Sequence, residues 1–140
     1  MSARKLKRAI AGSEESLPPA AEDFGATVAQ AIVDGKLADV LAMGSHGLRQ
    51  RNPRAGFIER WSTAIADRGG LTSFEVSNAG QIELQYIPGL EDVPQTQFVG
   101  YLEIVFASPT VPIEDEKAFA VGVVLLIEDG LLRVGAIHAR

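Results

Sequence analysis

The sequence predicts an α+β fold in which N-terminal helices pack on a curved, cone-shaped antiparallel sheet of four to five strands. Three observations carry this. Apolar residues recur at helical spacing through the first half of the chain and at period two through the second half. Helices segregated before strands are the mark of α+β architecture. The last stretch, 118–140, reads as an apolar β-hairpin around Asp129-Gly130, a dipeptide suited to a tight turn with positive φ at both central residues.

The 140 residues suffice for one domain with a real core, expected over 21–140 behind a tail at 1–20. The tail opens with Arg4, Lys5, Lys7 and Arg8, lacks the apolar run of a signal peptide, and reaches Pro18-Pro19. The chain contains no cysteine, which excludes disulfides and thiolate chemistry. Only two histidines are present, and no spacing suggests a zinc site. The formal net charge of −5, with a basic start, makes the body acidic and argues against nucleic acid as its partner. No apolar run is long enough to span a membrane. The expectation is a cytoplasmic protein without metal or cofactor.

Helix one is expected over 22–36, with Glu22 and Asp23 at its positive end and Phe24, Val28, Ala31 and Ile32 on one stripe. A short helix over 37–43 follows, broken at Gly44-Ser45-His46-Gly47. Residues 48–54 read as a basic connector ending at Asn52-Pro53, since a residue before proline disfavours helix. Helix three, 55–68, places Phe57, Trp61 and Ile65 four apart on one face. Strands are expected at 71–77, 81–87 and 95–107, the second alternating Ile82, Leu84, Tyr86 against Gln81, Glu83, Gln85.

In the closing hairpin, counting outward from the turn puts Phe119, Val121, Val123, Leu125 and Ile127 beside Leu132, Val134, Ala136 and His138 on a bulky face under the helices. The opposite face, with Gly122, Val124, Leu126, Leu131 and Arg133, is too apolar for open solvent. A second copy of the chain is the cover this predicts, a homodimer through the sheet.

Element order, the stripe Phe57/Trp61/Ile65, the passage AIVDGKLADVLAM (31–43) and the closing IEDGLLRVGAI (127–137) resemble the nuclear transport factor 2-like superfamily. The resemblance covers about 22–140 and implies a cone with a pocket between helices and sheet, and frequent dimers. The tyrosine that the isomerase branch of that superfamily carries on its first helix has no counterpart here; Tyr86 and Tyr101 both fall on expected strands.

Trp61, Tyr86 and His138 are the candidate ligand-binding residues. Trp61 could line the pocket or simply fill the core. Tyr86 would carry a hydroxyl needing a partner, and His138 could act as a base near neutral pH. Glu103 is expected on the outer face, paired with Arg133. Arg49, Arg51, Arg54 and Arg60 could hold an anion or be solvated. With one weak candidate base, the reading favoured is a non-catalytic module binding a small apolar ligand or a protein. The alternative is a small acid–base enzyme of isomerase or cyclase type using His138 with Tyr86.

Overall fold

The computed structural model describes residues 17–140; the basic residues of the tail lie outside them. The architecture is α+β. Helices α1 (Pro19–Val33), α2 (Leu37–Ala42), α3 (His46–Arg51) and α4 (Arg54–Ala66) precede strands β1 (Ser73–Gly80), β2 (Phe98–Ala107), β3 (Phe119–Glu128) and β4 (Leu131–Ala139). The strands form one antiparallel meander in the order β1-β2-β3-β4.

Helix α1 starts three residues before the expected position. Pro18 is its N-cap and Pro19 its first residue, where a missing N–H costs nothing. Its buried residues Ala21, Gly25, Val28, Ala29 and Ile32 form the stripe laid on β1 and β2. At Gly25 a methyl group would stand 2.5 Å from Leu102 Cδ1, so the absent side chain sets how closely helix and sheet approach.

Three sequence expectations fail here, each for a tertiary reason. Residues 46–51, read as part of a break and a connector, form helix α3. The Ser45 hydroxyl accepts from the Leu48 N–H at 3.2 Å, and the Glu128 carboxylate accepts from the His46 N–H at 3.1 Å. The second cap comes from the far end of the sheet and cannot be read locally. The helix ends at Arg51, with Asn52 in the extended conformation expected of a residue before proline.

The strand expected at 81–87 is instead an irregular segment with a 3₁₀ turn, Leu84–Tyr86. The amide of Gln95 stands in for a strand partner: its Nε2 donates to the Ile82 carbonyl at 2.9 Å, and its Oε1 accepts from the Leu84 N–H at 2.8 Å. Freed from the sheet, the segment folds over its outer face. Leu84 and Leu90 join Val124 and Leu126 in a second apolar cluster, flanked by Phe98, Tyr101 and Ala136. Part of the cover expected from a second subunit is thus supplied by the chain itself. Arg51 fastens this segment, its Nη1 donating to the Gly89 carbonyl at 2.8 Å and its Nη2 to the Gly135 carbonyl at 3.1 Å.

The closing hairpin turns where expected. Asp129 and Gly130 have φ of 55° and 79°, and the register from Glu128↔Leu131 to Leu125↔Val134 is the one counted from the turn. The next pair is Val124↔Ala136, leaving Gly135 as a β-bulge. A side chain at 135 would meet Leu126 Cδ1 at 2.5 Å, so only glycine fits without displacing that buried leucine. The extra residue inverts the rest of β4. Ile137 packs with the helix-side core, while Ala136 and His138 face outward, the reverse of the expected arrangement.

The main core lies between helices and sheet. A chain of aromatic rings runs through it, from Phe57 to Trp61 (5.9 Å between centroids), Phe119 (6.2 Å), Phe106 (6.0 Å) and Phe74 (6.5 Å). The Arg68 guanidinium closes its edge, 4.4 Å from the Phe119 ring centre.

Candidate functional site: a groove between helix α4 and strand β4

Helix α4 buries Phe57 and Trp61 because they fall on one side of it, one turn apart. The bulge at Gly135 brings Ile137 and Ala139 to the same side of β4. Between them lies a cavity of about 280 Å³, bounded by Phe57, Trp61, Ala64, Ile137 and Ala139, with Asn52 and Arg60 as its polar members. That volume is at the small end of the range for small-molecule pockets. The Arg60 Nη2 donates to Asn52 Oδ1 at 3.1 Å, and Asn52 Nδ2 donates to the Leu48 carbonyl at 2.9 Å. Asn52 is thereby held by the last turn of α3 and itself holds the guanidinium of Arg60.

A larger hollow of about 520 Å³ also reaches Asn52. Helix α2 contributes Ala38, Asp39, Leu41 and Ala42, and the ends of α3 and α4 contribute Arg49 and Arg54. Neither the Arg49 nor the Arg54 guanidinium makes a hydrogen bond or ion pair with another described residue.

Of the three residues singled out in the sequence, only Trp61 lines the groove. It serves both readings offered for it, being 9% exposed in the core while its ring also walls the cavity. Tyr86 is 76% exposed on the 3₁₀ turn, because the segment expected to place it in the sheet leaves the sheet. It does not reach the space between helices and strands. His138 is on the outer face, because the bulge inverts its end of β4.

There His138 meets Tyr101 rather than Tyr86. The Tyr101 Oη and His138 Nε2 are 3.4 Å apart, and the two rings stack at 6.2 Å between centroids. Gly122 makes room for both: a methyl there would come within 2.6 Å of His138 Nε2 and 2.9 Å of Tyr101 Oη. Partial burial against the sheet, and secondarily the positive charge of Arg140, hold the His138 pKa below the ordinary histidine value. Glu103 is on the outer face as expected, but its ion pair is with Arg140, at 2.9 Å, not Arg133. The bulge hid the meeting of Tyr101 with His138 from a register counted out from the turn.

The remaining groove residues carried weaker signals. Arg60, like Arg49 and Arg54 in the neighbouring hollow, stood out in a basic run and Asn52 as the residue before a proline, whereas nothing marked Ile137 and Ala139 as site residues. Among the described residues no group of three or more histidines and carboxylates is placed to hold a metal ion, and no helix is long and apolar enough to cross a membrane. Comparison with protein-family models, with curated proteins and with solved structures gave no match.

Proposed function

We propose that this chain is a non-catalytic binding module that holds a small, largely apolar ligand in the groove between α4 and β4. The observation that carries this is the groove's chemistry. Among the described residues its walls are aromatic and aliphatic, its polar groups are Asn52 and Arg60, and no histidine, tyrosine or carboxylate lines it. Such a surface favours burial of an apolar body and lacks a group that exchanges protons near neutral pH. The acid–base alternative draws less support, since His138 faces away from the groove and Tyr86 lies outside the sheet.

The single tryptophan supplies the test. N-phenyl-1-naphthylamine, a neutral apolar probe, is expected to quench Trp61 emission saturably with one-to-one stoichiometry. Ala64→Phe, which fills the groove from α4, is expected to weaken that binding by about tenfold or more, equivalent to about 1.4 kcal/mol. Unsaturable quenching, or equal affinity in a folded Ala64→Phe variant, would contradict the proposal.

A further inference from the structure

We infer that the ligand is an amphipathic organic anion, with its apolar body against Trp61 and its charged group in the adjoining hollow between Arg49 and Arg54. The inference rests on the reading of the groove as a binding site and adds the chemical class of what it takes. Both spaces include Asn52 among their walls, so they adjoin at that residue and a molecule occupying both would lie across it. The tight Asn52-Pro53 link between α3 and α4 projects three arginines around that residue: Arg49 and Arg54 into the hollow, Arg60 at the groove.

Charge points the same way. The chain carries a formal net charge of −5, yet among the described residues the titratable groups lining these two spaces are Arg49, Arg54 and Arg60 against the one carboxylate of Asp39. This local reversal lies beside an apolar groove. The neighbouring Arg51 is committed elsewhere, donating to the Gly89 and Gly135 carbonyls. Arg49 and Arg54 have no comparable structural partner among the described residues. Their planar guanidinium forks match a carboxylate, sulfonate or phosphate oxygen pair better than a point charge would. Asp39 disfavours a dianion at this position and limits the preference to a single negative charge.

Two probes sharing one apolar body separate this inference from the reading beneath it. 8-Anilino-1-naphthalenesulfonate carries the anionic group that N-phenyl-1-naphthylamine lacks, and both accept excitation energy from Trp61. At low salt the sulfonate is expected to bind the full-length chain about tenfold or more tighter than the neutral probe. That preference should shrink as salt screens the arginines. In the double variant Arg49→Gln/Arg54→Gln the ratio of the two affinities is expected to fall to about twofold or less, with unchanged circular dichroism. Equal affinities in the wild-type chain would overturn the anion site and leave the apolar groove standing. Saturable binding of neither probe would overturn the groove itself. A preference that survives the double substitution would remove the assignment to Arg49 and Arg54.

Discussion

Replacing Phe119 by alanine is expected to lower the free energy of unfolding by about 3–5 kcal/mol, the usual range for deleting a buried ring. Phe119 opens β3 opposite Phe106 and is 4% exposed. It is the link at which the helix side of the core meets the sheet, with Trp61 on one side at 6.2 Å and Phe106 on the other at 6.0 Å. Its loss leaves a cavity whose walls come from α4, β2 and β3, elements too firmly placed to close it. Arg68 would also lose the ring face it lies against. Urea denaturation followed by Trp61 fluorescence measures the loss, and the dependence on urea should keep its slope. A loss below about 1 kcal/mol would mean that the aromatic chain is not packed as described.

Leu84→Ala is expected to cost about 2–4 kcal/mol, and to do so with a different signature. Leu84 is fully buried although it belongs to no strand, because it fills the outer face over Val124 and Leu126. Shortening it weakens the attachment of residues 81–97 while leaving the helix-side core intact. Amide exchange should therefore accelerate at Leu84, Ile87 and Leu90, whose N–H groups bond within this segment, before it does so in β3. The variant should also self-associate more readily, since it uncovers apolar sheet surface. Uniform acceleration across the sheet would contradict the division into two apolar clusters.

What was legible in the sequence followed from local chemistry. Asp129-Gly130 set the hairpin turn and the first four pairs beyond it, because positive φ at two adjacent positions admits few residues. The stripe of Phe57 and Trp61 placed α4 correctly against the core. The failures share a cause, which is that the deciding contact lies far away in the chain. Glu128 caps α3 across 82 residues, and Gln95 satisfies the backbone of 82–84 so that an alternating stretch need not join the sheet.

Gly135 is the most consequential case. A glycine inside an apolar strand is a recognised mark of a bulge, but whether it is one depends on the leucine standing over it. That single residue moved His138 out of the expected pocket and moved Ile137 and Ala139 into the groove. The candidate site was accordingly half visible. Its tryptophan and arginines showed in the sequence, while the β4 wall that makes a groove of them did not.

Intermolecular nuclear Overhauser effects from bound N-phenyl-1-naphthylamine test the groove most directly. Cross-peaks are expected from the probe to the Trp61 indole and to the methyl groups of Ile137 and Ala139, with none to Tyr86 or His138. Cross-peaks confined to Leu84, Tyr101 and His138 would place the ligand on the outer face of the sheet and contradict binding in the groove.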